Sequence, residues 1–142
     1  MGSALAIALY EAGFRVIASA RNSAKLSEVK GRAIETVALD VQSEEPLQAA
    51  VLEVSSLTGG SFDVLVNNAG MGYMMPLSDA SISKAEDLFD VNVWALLSTT
   101  QSLLPLLLQS KKGAMVVNKH RSIPWSQLYS RQFTTPSKLQ QL

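Results

Sequence analysis

Short apolar runs alternate with longer segments of helical periodicity, and this alternation limits the fold more than any other feature of the sequence. The runs, rich in β-branched and other apolar residues, cover residues 15–19, 34–39, 62–66 and 114–118. A helical pattern precedes each of them, and the last pattern, residues 81–110, is the longest. This order is typical of an α/β domain with a parallel sheet.

The composition excludes several classes of function. The chain has 142 residues, 12 basic and 12 acidic, which fits one domain and lacks the excess positive charge of a protein that binds nucleic acid through phosphates. It has no cysteine and one histidine, His120, so we expect no disulfide and no metal site. The apolar run 103–108 is far shorter than a membrane span, and residues 1–8 carry no basic leader, so we expect a cytoplasmic protein without a membrane span.

Polar residues follow the predicted strands at their carboxyl ends, where open parallel sheets bind ligands. The second run ends at Asp40-Val41, and the third is followed by Asn67-Asn68-Ala69-Gly70. Asn92 lies within the long predicted helix, where asparagine is a poor helix former and is expected to bond to backbone instead of solvent.

Four motifs, in this order and spacing, resemble those of the short-chain dehydrogenase/reductase family over residues 2–118. They are Gly2-Ser3-Ala4-Leu5-Ala6, Leu39-Asp40-Val41, Asn67-Asn68-Ala69-Gly70 and Asp90-Val91-Asn92-Val93. Tyr73 and the Ser-Ala-Arg that ends at Arg21 are similar to features of fungal 1-acyl-dihydroxyacetone-phosphate reductases. The resemblance implies a Rossmann-type, doubly wound parallel sheet and hydride transfer between a nicotinamide cofactor and a carbonyl or alcohol substrate, including lipid-linked substrates.

The resemblance also implies roles for single residues. Asp40 and Val41 would contact the adenine, and Asn68, Ala69 and Gly70 would lie against the adenosine ribose. An arginine at position 21 favours the 2′-phosphate of NADP over NAD. Gly2 matches the last glycine of the phosphate loop, and Asn92 matches the catalytic asparagine, whose backbone holds a water in a proton relay. Family members are often homo-oligomers, and some are peripheral to the endoplasmic reticulum or to lipid droplets.

Structural roles compete with several of these assignments. Arg21 could be a solvated loop cation, and Asp40 could serve only to form a turn. We expect Asn67 to be structural, bonding neighbouring backbone. Core packing is favoured over a substrate pocket for three methionines, Met71, Met74 and Met75.

The sequence departs from the family pattern at both ends. The family's first strand and glycine loop are missing, and in the 3-2-1-4 strand order that strand is central, so its neighbours are expected to have unpaired edges. The Tyr-x-x-x-Lys pair is also missing, because Phe133 follows Tyr129 at the lysine position.

These departures suggest a partial dinucleotide-binding domain at 1–118 and an aberrant tail at 119–142, which is expected to be disordered. A shifted reading frame through residues 133–141 is compatible with the missing Tyr-x-x-x-Lys signature, so we interpret the tail as a frame-shifted or mis-spliced product. We therefore predict an NADP-dependent oxidoreductase by descent, inactive in this form. The alternative is a catalytically dead fragment that acts as a binding piece or arises from mis-annotation.

Overall fold

The computed structural model describes residues 2–119 of the 142-residue chain. The helices and strands in chain order are α1 Gly2–Glu11, β1 Ile17–Ala20, α2 Ser27–Lys30, β2 Glu35–Ala38, α3 Glu44–Thr58, β3 Val64–Asn67, α4 Ile82–Phe89, α5 Ala95–Leu107 and β4 Met115–Asn118. Short 3-10 turns cover Ser23–Leu26 and Leu77–Asp79, and a π-helical segment, Asp90–Trp94, joins α4 to α5. All four predicted strands are confirmed, although each has only four residues.

Helix boundaries follow the local sequence with one exception. Gly13 and Gly59 follow α1 and α3 with φ values of 90° and 67°, a conformation that glycine adopts without strain. Ser43 precedes α3 and is a residue type that often caps helices, but its side chain makes no capping hydrogen bond. The long helix predicted at 81–110 is the continuous run of α4, the π-helical segment and α5 over residues 82–107.

The strands form two separate parallel sheets. In the first sheet β1 pairs with β2, with Ile17 opposite Glu35. In the second, β3 pairs with β4, with Val64 opposite Met115. Helix α3 contacts β2 and α5, and α5 contacts β3, so helix packing connects the two sheets. The predicted α/β class with parallel strands is therefore confirmed, as a small and divided sheet.

Two groups of buried side chains, nearly all of them apolar, hold these elements together. Under α1, Ala6 packs with Leu26, Val29 and Ile34. On α5, the buried positions recur every four residues, which is the spacing of one helix face. These positions are Ala95, Thr99, Leu103 and Leu107.

Two further expectations from the sequence concern a membrane span and the C-terminal tail. Within residues 2–119 no helix has the length and apolar character needed to cross a membrane. The tail predicted at 119–142 lies, apart from Lys119, outside the described residues, so the domain boundary at 118 stays a prediction.

Candidate cofactor site

The predicted binding residues lie where strands of both sheets end. Ala20 and Ala38 are opposite each other at the ends of β1 and β2, so Arg21 and Asp40 leave neighbouring strands on the same side. The Leu39 amide continues this pairing by donating to the Ala20 carbonyl at 3.2 Å. Arg21 is exposed, and its guanidinium forms no ion pair with a described side chain.

Asp40 forms the turn that leads into α3. Its Oδ1 accepts a hydrogen bond from the Gln42 amide at 3.1 Å, and its carbonyl accepts one from the Ser43 amide at 3.3 Å. The turn-forming role is therefore confirmed, and Oδ2 has no hydrogen-bond partner among the described residues. Val41, the next residue, lines an open cleft of about 360 Å³ that is also lined by Asp90 and Trp94. Neither Arg21 nor Asn68 lines this cleft.

The first residue of α1 lies against the residue that follows β3. A Cβ placed on Gly2 would come within 2.9 Å of Asn68 Nδ2, closer than real Cβ contacts. Glycine therefore lets the N-terminus of α1 approach the carboxyl end of β3. The ammonium of Lys119, just past β4, is 3.5 Å from Asn68 Oδ1.

Asn67 joins three elements through its side chain. Its Nδ2 donates to Thr100 Oγ1 at 3.0 Å and to Asn118 Oδ1 at 2.9 Å, which connects β3 to α5 and β4. The threonine hydroxyl in turn donates to the Leu96 carbonyl at 2.8 Å. Asn67 is 8% exposed, so the structural role predicted for it is confirmed. The expected partners are wrong, however, because they are side chains and not neighbouring backbone.

Asn92 holds the loop after β3 through paired hydrogen bonds. Its Nδ2 donates to the Met71 carbonyl at 2.9 Å, and its Oδ1 accepts from the Met71 amide at 3.0 Å. The expectation that Asn92 bonds to backbone is thus confirmed. A Cβ on Gly70 would lie 3.1 Å from Asn92 Oδ1, so glycine at position 70 makes room for this pairing.

The backbone around Asn92 is itself unusual. Residues 90–94 form a π-helical segment, in which the Ala95 amide bonds to the carbonyl of Asp90, five residues earlier. Such segments are rare and frequently occur at functional sites, because they shift the regular carbonyl bonding of the helix. The sequence pattern predicted a helix here and gave no signal for the wider turn.

The methionine loop covers residues 71–76 and is exposed except at Tyr73. Met71, Met74 and Met75 are 47%, 39% and 52% exposed, so the favoured core-packing role is wrong. Tyr73 fixes the loop to α4, because its hydroxyl accepts from the Ser81 amide at 3.2 Å. The ammonium of Lys84 lies 5.6 Å from the Tyr73 ring centroid, within range of a cation–π contact. The sequence indicates Tyr73 only as a family feature and carries no signal for this contact.

The resolved pKa shifts belong to a pair at the opposite end of the strands. The Arg15 guanidinium donates to both carboxylate oxygens of Glu35 at 2.8 Å and to the Leu57 carbonyl at 2.7 Å. Hydrogen bonding to Arg15 lowers the pKa of Glu35, and the same bond raises the pKa of Arg15. This pair joins the starts of β1 and β2 to the end of α3, so its role is structural. No group of three or more acidic, histidine or cysteine residues within 2–119 is placed to hold a metal.

The fold and the motif contacts agree with comparisons against known proteins. The short chain dehydrogenase family model matches residues 1–120. The chain belongs to the short-chain dehydrogenase family.

Similar proteins include fungal members of this family. A short-chain dehydrogenase/reductase of Pestalotiopsis microspora is 50% identical over 111 residues, which are 78% of this chain and 40% of that protein. The NADPH-dependent 1-acyldihydroxyacetone phosphate reductase of Schizosaccharomyces pombe is 30% identical over 118 residues, 83% of this chain and 40% of the reductase. The resemblance to that fungal reductase is therefore confirmed.

Solved structures show the same relationship. A short-chain dehydrogenase from Streptomyces avermitilis superposes with a TM-score of 0.71 at 31% identity, over 82% of this chain and 44% of the other. The Pseudomonas aeruginosa RhlG/NADP active-site complex gives the same TM-score and identity, over 82% of this chain and 49% of the other. The chain thus spans less than half the length of each of these relatives.

Proposed function

We propose that this chain carries the adenosine-binding part of the cofactor site of an NADP-dependent short-chain dehydrogenase/reductase. In the whole enzyme, a hydride would pass between the nicotinamide and a small carbonyl or alcohol substrate, including lipid-linked ones. The single observation that carries the proposal is that the Asn67-Asn68-Ala69-Gly70 motif after β3 contacts both the first and the fourth family motif. Gly2 lies against Asn68, and Gly70 lies against Asn92.

The residues at these strand ends fit the adenosine part of the cofactor. Asp40 Oδ2 would accept from the adenine amino group, since Oδ1 is already used by the Gln42 amide. Val41 would pack on the adenine ring from the wall of the cleft. Asn68, Ala69 and Gly70 are exposed after the end of β3 and would lie against the ribose.

NADP is preferred over NAD because of Arg21. An exposed guanidinium at the end of β1 can pair with a 2′-phosphate through charge-assisted hydrogen bonds, whereas an acidic residue there would bond the ribose hydroxyls of NAD. The Schizosaccharomyces pombe relative is named as NADPH-dependent, and the Pseudomonas aeruginosa structure is a complex with NADP. Both names support the same choice.

Asn92 would act through its backbone. Both polar atoms of its side chain are occupied by Met71, so the side chain positions the loop, and the π-helical backbone would hold the relay water. Bound NADPH would supply the hydride.

Turnover needs groups that this sequence does not place in the family pattern. Four residues after its tyrosines, Tyr10, Tyr73 and Tyr129, stand Phe14, Leu77 and Phe133, and none of these is a lysine. We therefore expect cofactor binding without hydride transfer by this chain. The alternative, a catalytically dead fragment acting as a binding piece, shares this expectation for turnover and differs in predicting no cofactor binding. A cytoplasmic location and homo-oligomers are expected of the whole enzyme.

A fragment of the cofactor tests the proposal on the chain itself. The amide NMR spectrum would be followed while 2′,5′-ADP or 5′-AMP is added, because only the former carries the 2′-phosphate. We expect shifts at Arg21, Asp40, Val41 and Asn68, and binding of 2′,5′-ADP about tenfold tighter than that of 5′-AMP. Arg21→Asp should abolish the difference between the ligands.

A matched control separates this site from general charge. Lys30 is an exposed cation at the end of α2, and Lys30→Ala should leave the preference for 2′,5′-ADP intact. No shifts at millimolar ligand would contradict the proposed site. Equal affinity for both ligands in the unaltered chain would contradict the choice of NADP.

A further inference from the structure

The methionine loop contains three of the chain's five methionines. Met71, Met74 and Met75 are 47%, 39% and 52% exposed, and Met115, at the start of β4, is 57% exposed. The chain has no cysteine, so the methionine thioethers are its only sulfur groups. Peroxides oxidise thioethers to sulfoxides, and a methionine must be accessible for this to happen quickly. The loop therefore concentrates oxidisable sulfur in one exposed segment.

The loop is anchored through its backbone and through Tyr73, and not through sulfur. The Met71 amide and carbonyl pair with the Asn92 side chain, and the Tyr73 hydroxyl accepts from the Ser81 amide. Among the described residues, no hydrogen bond involves the sulfur of a loop methionine. The thioethers are therefore open to an oxidant while the loop keeps its folded conformation.

Few contacts hold the loop outside these anchors. Within residues 2–119, the backbone groups of Met74 and Met75 form no hydrogen bond. A Cβ placed on Gly72 would meet nothing within 4 Å, so the space beside the loop is open there. The position of the loop thus depends on the Asn92 and Tyr73 anchors and on the partial covering of the methionine side chains.

We propose that the methionine loop is a modification site for peroxides, where conversion of Met71, Met74 and Met75 to sulfoxides releases the loop from Asn92. A sulfur lone pair attacks one oxygen of hydrogen peroxide, the S–O bond forms and the O–O bond breaks. The second oxygen leaves as hydroxide and takes the remaining proton to become water. Sulfur loses two electrons and the peroxide gains them. This proposal does not depend on cofactor binding.

Release follows from the polarity of the sulfoxide. A sulfoxide accepts hydrogen bonds that a thioether does not, so covering it partly without a donor costs free energy. Met71 carries this cost on the same residue whose backbone makes both Asn92 bonds. Those bonds are neutral and partly accessible to water, so each contributes little net stability. A modest penalty at Met71 is therefore enough to shift the loop away from Asn92.

Oxidation of the full chain by hydrogen peroxide tests the proposal. Trypsin cleavage after Arg32 and Lys84 gives one peptide with all three loop methionines, and cleavage after Lys112 and Lys119 gives another with Met115. By mass spectrometry, we expect each loop methionine to gain one oxygen within about tenfold of its rate in the urea-unfolded chain.

Amide exchange of the oxidised chain measures release of the loop. The Met71 amide should exchange at least about fivefold faster than in the untreated chain. The amide of Val37, a buried residue of β2, should not change. Methionine sulfoxide reductases for both sulfoxide epimers, which use a dithiol and remove the added oxygen as water, should restore slow exchange.

Leucine variants separate the loop from the other methionines. The triple variant Met71→Leu, Met74→Leu, Met75→Leu keeps apolar side chains of similar size and removes the loop sulfur. Its residue 71 amide should not respond to peroxide, although Met115 remains oxidisable. Met115→Leu is the matched control and should keep the full response, and it provides the same separation if the triple variant does not fold.

Four results would overturn the proposal. Loop oxidation more than about tenfold slower than in the unfolded chain would mean that the thioethers are covered. Sulfoxides that form with a smaller change at the Met71 amide would mean that the Asn92 pairing does not depend on them. Faster exchange at Val37 as well would indicate global unfolding instead of loop release. A peroxide response in the triple variant would place the effect at another methionine.

Discussion

Replacing Asn92 with alanine removes both hydrogen bonds that fix the loop at Met71. Their lengths, 2.9 and 3.0 Å, are those of normal neutral hydrogen bonds, and each such bond contributes about 0.5–1.5 kcal/mol net. Because Asn92 is only partly buried, water can replace part of this energy. We therefore expect Asn92→Ala to lower the free energy of unfolding by about 1–2 kcal/mol. We also expect faster exchange of the Met71 amide.

In Asn92→Asp the loss of stability should depend on pH. Above the pKa of the new carboxyl, the carboxylate accepts from the Met71 amide but faces the Met71 carbonyl, 2.9 Å from the present Nδ2, with no proton to donate. Protonation restores a donor, so folding favours the neutral form and raises the pKa of the carboxyl. The variant should therefore be closest to the unaltered chain below the unfolded value of about 3.9, and should lose stability as pH rises through the folded pKa.

Urea unfolding at about pH 7 and pH 4, with amide exchange of Met71, measures both effects. Gln101→Ala, at an exposed position of α5, is the matched control and should change stability by less than about 0.5 kcal/mol. The reasoning would be refuted if Asn92→Ala matched this control. It would also be refuted if Asn92→Asp and Asn92→Ala had the same pH dependence.

Three further predictions test other contacts. In urea unfolding, Gly70→Ala should lower the free energy of unfolding by about 1 kcal/mol, and by less in a chain that already carries Asn92→Ala. Gly72→Ala is the control and should change this free energy little, because its Cβ would meet nothing within 4 Å. Asn67→Ala should lower the free energy of unfolding by about 1–3 kcal/mol, since it removes two part-buried hydrogen bonds, and an unchanged thermal midpoint would contradict this. The pKa of Glu35 is lowered in the folded chain, so its pairing with Arg15 stabilises the fold at pH values above the ordinary pKa of 4.5. This stabilisation is lost as pH falls through the folded pKa. In thermal melts the Glu35→Gln variant should be less stable than the unaltered chain near neutral pH and should lack this dependence on acid.

Features set by local sequence could be predicted. The strands were found because β-branched runs end at turn residues. The backbone bonding of Asn92 followed from the residue type, since asparagine in a helix interior competes for backbone groups. Its partner, Met71, lies 21 residues away, and the local sequence does not indicate which residue that partner is.

Features set by contacts distant in sequence could not be predicted. Asn67 bonds to Thr100 and Asn118, which are 33 and 51 residues away, and nothing in the local pattern selects them. The three loop methionines were assigned to the core because methionine is usually buried, but exposure depends on which elements pack over a loop. Ser43 has the residue type of a cap and still makes no capping bond.

The contacts of Asn92 also determine how substitutions at this site should be interpreted. Because Met71 uses both polar atoms of the side chain, a loss of cofactor binding in Asn92→Ala would report movement of the loop after β3 and not loss of a direct ligand contact. Arg21 differs, since its guanidinium pairs with no described side chain, so its substitution should change ligand preference without changing stability. If Arg21→Asp lowered the free energy of unfolding as much as Asn92→Ala, Arg21 would be part of the fold, and the argument for NADP would lose its physical basis.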